Sequence, residues 1–334
     1  MTKPLSPWLL SLLLALFGAV GVALGSAMGS TGWEPWWQAL HDPVSWQIVW
    51  DIRLPRSLGA WAGGALLGLA GALAQGLFRN PLADPYLLGS ASGASLGVAI
   101  YLSLFGGSTL AIGWWVRLGL TGAAFVGAVL AVLLTLLLAR GVQQTLRLLL
   151  AGVIVGVVLG AMTSFLTLWR PEVWQGMQGF MLGSTGFVGW IACVLMCTVL
   201  VLCVVLALSM ARVLDALTLG ESTALSLGVP LAPARMLLVS VMALSTGTAV
   251  AQMGLIAFVG LAAPHLVRAM VRTTHAWSVL LSALAGGLLL LLADLLARGL
   301  MAPQEMPVGV LTAVLGGGYL LWRMPRMSST GARA

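Results

Sequence analysis

The chain has 334 residues, of which 60% are hydrophobic and only 7% are charged, and its mean hydropathy is +1.04. Soluble domains carry about 25% charged residues, so this composition excludes a soluble fold and requires a bilayer around most of the chain. The net charge of +7 comes from arginines that stand singly at the ends of apolar runs, which is typical of orientation signals and not of a nucleic-acid-binding surface.

Ten apolar runs predict an all-α integral membrane protein with ten transmembrane helices. An even number of spans places both termini on one side. If that side is the cytoplasm, it holds eleven of the 16 basic residues, against five outside, as the positive-inside rule favours. The first run could be a cleaved signal peptide, but its length favours a retained helix. The predicted spans, of which the third and eighth are short or broken, are 7–28, 57–78, 86–105, 114–139, 146–168, 187–209, 235–253, 256–271, 277–297 and 307–323.

The first outer loop, residues 29–50, is rich in tryptophan and is expected to lie along the membrane surface. It leads into 51-DIRLPR-56, which places Arg53 and Arg56 on the side that normally carries fewer positive charges. Such arginines need carboxylate partners. These could come from another protein, or from Asp51, Asp294 or Glu305 of the same chain. Asp294 and Arg298 are four residues apart on one predicted helix, a spacing that allows a salt bridge.

Residues 79–89, RNPLADPYLLG, predict a rigid reversal on the inner side. Each proline restricts the residue before it, Asn80 or Asp84, away from helical geometry. Asp84 is a good cap for the next helix, with Pro85 at its first position.

The longest inner segment, 210–235, predicts two short amphipathic helices that Gly220 separates and that Gly228 and Pro230 end. Such a pair either lies on lipid or contacts a cytoplasmic partner.

The residues that would supply energy or catalysis are missing from the pattern. Lys3 is the only lysine, so a phosphate-binding P-loop is excluded, and Cys193, Cys197 and Cys203 form no CxxC pair. His265 and His275 lie near inner helix ends, where we interpret them as polar end groups, with haem or metal ligation as the alternative. No ionisable residue falls near the middle of a span, which disfavours an ion-coupled carrier or an intramembrane enzyme. We predict no catalytic residue, no metal site and no cofactor.

Seven motifs resemble the FecCD-type permeases, the membrane subunits of ABC importers for iron–siderophores, haem and cobalamin. They follow the family's order from residue 53 to residue 317: 53-RLPR-56, 71-GALAQGLFRNPLADPYLLGSASGASLG-97, 148-LLLAG-152, 219-LGESTALSLGV-229, 254-GLIAFVGLAAPHLVR-268, 293-ADLLAR-298 and 305-EMPVGVLTAVLGG-317.

The resemblance implies a single permease domain over 1–334 and a homodimer with a central pathway. It also implies two copies of an ABC ATPase below and a periplasmic substrate-binding protein above. The binding protein's glutamates would dock on Arg53, Arg56 and Arg298, and the ATPase would couple through Leu219, Gly220, Glu221 and Ser222. A cytoplasmic gate is implied at Asn80, Leu82 and Thr145, although Leu146 departs from the family pattern there. Gly152, Gly156 and Gly160 would line the pathway or pack against another helix.

The resulting expectation is an ATP-driven importer permease of the bacterial inner membrane that moves a metal chelate inward. Ferric siderophore is the favoured cargo, and haem and cobalamin are the alternatives. A proton- or sodium-coupled carrier remains the hypothesis from a different class.

Overall fold

A computed structural model describes residues 6–29, 32–33, 39, 41–105, 114–139 and 145–331 of the chain. The first helix, α1 (Pro7–Ala27), begins where the Ser6 hydroxyl accepts a hydrogen bond from Leu9 N at 3.2 Å and Pro7 takes the first helical position. A short antiparallel ribbon follows, with β1 (Met28–Gly29) paired to β2 (Gly32–Trp33).

A long helical run then enters the centre of the molecule. Asp42 caps α2 (Pro43–Ile48) by accepting hydrogen bonds from Val44 N and Ser45 N, and a π-helical turn (Val49–Arg53) joins α2 to α3 (Leu54–Phe78). Nearly every residue of α3 is buried, so this helix is the core around which the others pack. The outer loop predicted over 29–50 therefore contains the start of a helix, and its tryptophans 36 and 37 lie outside the described residues.

The predicted reversal forms after α3. Arg79 takes a left-handed conformation (φ 49°), so that Asn80 N and Arg79 N bond back to the carbonyls of Gln75 and Gly76. This pair of backbone hydrogen bonds is typical of the C-terminal end of a helix. Asp84 caps a 3₁₀ turn (Pro85–Leu88) through Tyr86 N at 2.8 Å, and α4 (Ser90–Phe105) begins directly after it.

The remaining helices comprise long ones of 20 to 25 residues and short ones of 6 to 12 residues. They are α5 (Trp114–Leu138), α6 (Thr145–Trp169), α7 (Pro171–Leu182), α8 (Trp190–Ser209), α9 (Ala211–Thr218), α10 (Glu221–Ser226), α11 (Leu231–Met253), α12 (Val259–Met270), α13 (His275–Gly299) and α14 (Val308–Gly331). The two short helices expected in 210–235 are confirmed as α9 and α10. Helix α7 was not predicted, because its 12 residues are too short and too mixed in polarity to register as a span.

Helices α3 and α13 pack backbone against backbone. A Cβ atom added at Gly68 would lie 2.1 Å from the carbonyl oxygen of Ser282, and one at Gly64 would lie 2.4 Å from that of Gly286. Glycine is required at this distance, since lipid offers no hydrophobic force between helices and close packing must hold them together.

Among the described residues, seven helical segments are long and apolar enough to cross a bilayer: Pro7–Ala27, Pro43–Phe78, Leu118–Leu138, Leu146–Trp169, Trp190–Ser209, Leu231–Met253 and His275–Gly299. Ser90–Phe105 and Val308–Tyr319 are apolar but shorter, and α12 has 12 residues. The prediction of an all-α, multi-pass membrane protein is confirmed, whereas the count of ten spans stays a prediction.

Candidate functional site

Two ends of the helix bundle carry the polar groups that the sequence singled out. The Asp294 end, as we name it, holds Arg53, Arg56, Asp294, Arg298 and Glu305. The Asp215 end holds Arg79, Asp215, Glu221, Arg235 and His275.

Asp294 is fully buried and binds two guanidinium groups. Its Oδ1 accepts from Arg56 Nε at 3.2 Å and from Arg56 Nη2 at 3.0 Å, and its Oδ2 accepts from Arg298 one helical turn further on. The salt bridge predicted from the i,i+4 spacing of Asp294 and Arg298 is confirmed. Thr185 also donates its hydroxyl to Asp294 Oδ1 at 2.5 Å. One buried carboxylate therefore faces two positive charges. A second negative charge is needed nearby to balance them.

Glu305 supplies that second negative charge. Arg56 Nη1 lies 2.8 Å from Glu305 Oε2 and 2.9 Å from Oε1. The Glu305 side chain is 32% exposed, so it is the part of this cluster that water reaches most readily. Arg56 thus uses its planar fork on two carboxylates at once, one buried and one at the surface.

Arg298 ties the first helix to this cluster. Its Nη1 donates to the carbonyl oxygens of Gly25 at 2.9 Å and Met28 at 3.3 Å, and its Nη2 donates to Ser57 Oγ at 3.1 Å. The carbonyl groups at the end of α1 therefore satisfy a buried guanidinium of α13, which makes α1 an integral part of the site.

Arg53 lies beside the cluster, at the junction between the π turn and α3. Its guanidinium packs over Gly29, where an added Cβ would lie 2.6 Å from Nη2, and its carbonyl accepts from Ser57 Oγ at 2.9 Å.

The three predicted docking arginines are thus brought together, and all three are buried within this chain. Arg56 and Arg298 form the internal pairs that the sequence left open as the alternative. Arg298 is only 1% exposed, so a carboxylate from outside could contact it only if its surroundings moved. Docking stays a prediction.

Sequence reasoning missed Thr185 and Ser57. Both are ordinary small polar residues with no motif around them, and only their positions in the fold place them on Asp294 and Arg298.

At the Asp215 end, α9 and α10 form a two-helix platform. Helix α9 buries Leu214 and Leu217 against the bundle, and α10 buries Ala224. Gly220 stands between them at φ +108°, a conformation that favours glycine. The platform leaves three large apolar side chains exposed: Leu219 (65%), Leu225 (59%) and Leu227 (63%).

Glu221 anchors the platform to the membrane helices. Its carboxylate lies 2.6 Å from Arg235 Nη2 at the start of α11 and 4.0 Å from Arg79 Nη2 at the end of α3. The Arg235 side chain is buried whereas the Glu221 side chain is 34% exposed, so Glu221 supplies the carboxylate that compensates a buried guanidinium. A displacement of Glu221 would therefore move Arg235 and, with it, the start of α11. Ser222 follows Glu221 in the first turn of α10.

The predicted gate residues lie at the reversal after α3. Asn80 Oδ1 accepts from Leu82 N at 2.9 Å, which holds the turn, and the Leu82 side chain is exposed. Thr145 is the first residue of α6, and its side chain lies outside the described part of the structure. A joint role in gating stays a prediction.

The glycine stripe of α6 divides into a packed half and an open half. A Cβ at Gly152 would lie 2.1 Å from the carbonyl oxygen of Leu87, so Gly152 packs against the 3₁₀ turn. Gly156 has only ordinary contacts, and an added Cβ at Gly160 would meet no atom within 4 Å. The prediction that these glycines pack against another helix fits Gly152, whereas Gly160 faces open space.

His265 and His275 have separate surroundings. His275 contacts Asp215, with Nδ1 2.7 Å from Oδ1, and its backbone N–H donates to the same oxygen at 3.0 Å. His265 lies edge-on to Tyr319, with ring centroids 5.9 Å apart. Within the described ranges, no three His, Cys, Asp or Glu side chains lie close enough together to hold a metal ion.

The chain is similar to known transport proteins over most of its length. The sequence profile of the FecCD transport family matches residues 11–326. The hemin transport system permease protein HmuU of Yersinia pestis is 40% identical over 286 residues, which cover 84% of each protein. The vitamin B12 import system permease protein BtuC of Salmonella paratyphi A is 40% identical over 275 residues, which cover 82% of each. A solved inward-facing ABC transporter, assigned to the metal-chelate type, has a TM-score of 0.83 and 29% identity, covering 94% of this chain and 98% of that one.

Proposed function

The chain belongs to the FecCD transport family, and we propose that it is the permease of an ATP-driven importer that moves a metal chelate from periplasm to cytoplasm. Residues 1–334 would form one permease domain in the bacterial inner membrane, with both termini in the cytoplasm. The observation that carries the proposal is the family match over residues 11–326, together with an apolar two-helix platform at one end of the bundle.

Ferric siderophore is the favoured cargo, and haem or cobalamin is the second candidate. The second candidate has a specific observation in its favour, since relatives named for hemin and for vitamin B12 are each 40% identical to this chain. From Leu148 to Trp169, α6 has no ionisable residue. A pathway without strong ligands suits a large rigid chelate, because tight binding would oppose its release.

The platform is proposed as the contact with an ABC ATPase, present in two copies beneath a homodimer of this chain. Leu219, Leu225 and Leu227 supply the apolar contact area, and Gly220 provides the turn between the two helices. Movement of the ATPase would reach α11 through the Glu221–Arg235 pair.

The Asp294 end is proposed as the docking face for a substrate-binding protein, through Arg53, Arg56 and Arg298. The exposed Glu305 occupies one side of Arg56, so a carboxylate of the binding protein would compete with Glu305 for that guanidinium. Arg298 would act indirectly, because it holds Asp294 and the end of α1 in place.

Transport by the reconstituted complex tests the function. Proteoliposomes with this chain, its ATPase and its binding protein are supplied with ATP and a labelled ferric siderophore, haem or cobalamin. We expect accumulation of one cargo class that stops when ATP is omitted. Accumulation by this chain alone, driven by a proton or sodium gradient, would establish a secondary carrier and refute the proposal.

The platform is tested with Leu225→Gln, which removes exposed apolar surface without touching the buried side of α10. We expect weaker copurification of the ATPase and loss of uptake, with an unchanged unfolding temperature. Leu300→Gln, an equally exposed leucine at the Asp294 end, is the matched control. Equal loss in both variants would show that the platform has no special role.

Docking is tested with Glu305→Gln, which frees one side of Arg56. We expect higher affinity for the binding protein, whereas the pair Arg53→Glu and Arg56→Glu abolishes binding. Arg170→Glu reverses an exposed charge outside the cluster and serves as the control. If affinity survives the double reversal in a folded protein, the docking assignment is wrong.

A further inference from the structure

A basic cavity opens at the Asp215 end, between α3, α9, α12 and α13. Its volume is about 460 Å³. The described lining residues contain no carboxylate, and the chemistry of the wall is set by six side chains: Gln75, Arg79, Thr218, Arg268, Arg272 and His275. Among the described lining residues there is none of the exposed platform leucines, none from α6 and none from the Asp294 end.

Arg268 and Arg272 face the cavity without a carboxylate partner. Arg268 donates to Gln75 Oε1, a neutral amide, and Gln75 in turn donates from Nε2 to the carbonyl of Leu261 at 3.3 Å. Gln75 is buried, so it positions the Arg268 guanidinium without neutralising it. Arg272 makes no ion pair or hydrogen bond with any described residue.

The nearby carboxylates are already used. Asp215 accepts from both the ring and the backbone N–H of His275, and Glu221 lies 2.6 Å from Arg235 but 4.0 Å from Arg79. The guanidinium groups of Arg268 and Arg272 therefore lie on a concave wall without a carboxylate partner among the described residues, beside Arg79, whose contact with Glu221 is a long one of 4.0 Å. Such a wall attracts an anion, and the planar fork of arginine matches the oxygens of a phosphate group.

A tryptophan pair marks the depth of the cavity. Trp277 is two residues beyond His275, and its ring lies edge-on to Trp8 with centroids 4.7 Å apart. Trp8 is 74% exposed at the start of α1. Indole rings concentrate at the level of the lipid headgroups, so we expect the cavity, two residues away along the chain from Trp277, to lie near that level. Part of its wall is apolar, including Ala72 and Val271, as contact with a lipid requires.

We propose that this cavity binds a phosphate-bearing anion, supplied by the headgroup of an anionic phospholipid. Basic pockets between transmembrane helices are known to select such headgroups. Thr218, the last residue of α9, forms part of the wall, so the bound headgroup joins the platform to α12 and α13. The lipid thereby steadies the element that we assign to ATPase contact. The binding itself does not depend on that assignment or on the cargo.

Lipid add-back to the purified full-length protein tests the site. Delipidated protein in a neutral detergent is titrated with phosphatidylglycerol, phosphatidylcholine or inorganic phosphate, and binding is followed by native mass spectrometry and by the unfolding temperature. We expect phosphatidylglycerol to bind and to raise the unfolding temperature, and phosphatidylcholine to do neither. A rise with inorganic phosphate at millimolar concentration, without a lipid effect, would support the phosphate site but overturn its lipid source.

Arg272→Gln is the primary variant, because Arg272 has no described partner and its loss leaves the fold intact. We expect phosphatidylglycerol to bind about tenfold more weakly, since one charge-assisted hydrogen-bonding group is lost. Arg268→Gln should act in the same direction. Arg212→Gln removes an exposed charge at the same end but outside the cavity, and it should leave binding unchanged.

Equal weakening in all three variants would reduce the effect to general surface charge and overturn the proposal. Unchanged lipid binding in Arg272→Gln and Arg268→Gln, combined with weaker ATPase binding, would show that the cavity contacts protein and not lipid.

Discussion

At the scale of single residues, Asp294 is the carboxylate around which two buried guanidinium groups are arranged. Arg56 and Arg298 approach it from different helices, Thr185 donates to it, and Glu305, whose side chain is 32% exposed, connects the group to the surface. A buried charge that loses its partner is strongly unfavourable, so the stability of the cluster depends on Asp294.

Asp294→Asn should therefore destabilise the protein far more than Glu305→Gln. Removing one partner of a buried ion pair costs about 3–5 kcal/mol, whereas a partly exposed pair contributes about 1 kcal/mol or less. The measurement is the loss of folded protein on heating in detergent, followed by size-exclusion chromatography. Equal stability of the two variants would mean that Asp294 is not the organising charge.

Asp84 gives a prediction on pH. Burial raises the pKa of its carboxyl, and the hydrogen bond from Tyr86 N offsets part of the rise. The folded chain thus holds this proton more tightly than the unfolded chain. Its stabilising effect is complete below the unfolded pKa of about 3.9 and is lost as the pH rises through the higher folded pKa.

Asp84→Asn keeps an acceptor oxygen for Tyr86 N and cannot ionise. We expect its unfolding temperature to exceed that of the unmodified chain at pH 7 and to match it near the unfolded pKa. Asp42→Asn is the control of opposite sign, because hydrogen bonds from Ser45 lower the pKa of Asp42 and its contribution is lost as the pH falls. A constant difference across pH for Asp84→Asn would contradict the assignment.

At the scale of elements, the contact between α3 and α13 depends on glycine. Gly64 and Gly68 let the two backbones approach until the carbonyls of Ser282 and Gly286 lie where a side chain would be. The same pair of helices carries Arg56 and Asp294, so this contact also sets the geometry of the Asp294 cluster.

Gly68→Ala should force α3 and α13 apart and lower stability by about 1–3 kcal/mol, the usual effect of overpacking. Gly122→Ala in α5 is the matched control, since an added Cβ there meets no atom within 4 Å and alanine favours helix over glycine. Unfolding temperatures in detergent compare the two. A destabilised Gly122→Ala with a stable Gly68→Ala would reverse the expected order.

At the scale of the whole molecule, the two ends of the bundle should face different compartments. The basic residues favour the cytoplasm for the Asp215 end and the periplasm for the Asp294 end. Leu219 and Met301 are exposed at opposite ends and provide sites for a label.

Met301→Cys should react with a membrane-impermeant maleimide in cells whose outer membrane has been made permeable, and Leu219→Cys should react only after the inner membrane is opened. The unmodified chain reports any background from Cys193, Cys197 and Cys203, which lie within α8. Labelling of Leu219→Cys from outside would invert the proposed orientation.

The class of the protein and most of its helices follow from the order of its residues, because lipid imposes simple requirements on composition and length. The cap at Asp84, the two helices of 210–235 and the Asp294–Arg298 pair could be predicted for the same reason: each is a local effect of a few neighbouring residues.

The partners that the arginines take within the chain depend on how distant helices pack together. Arg56 meets Asp294 across 238 positions of the chain, and Arg298 meets the carbonyl of Gly25 across 273. The choice between internal pairing and docking depends on burial, which no local pattern contains. The same holds for the cavity at the Asp215 end, whose arginines come from α3, α12 and the segment after α12 and converge only because those elements pack together.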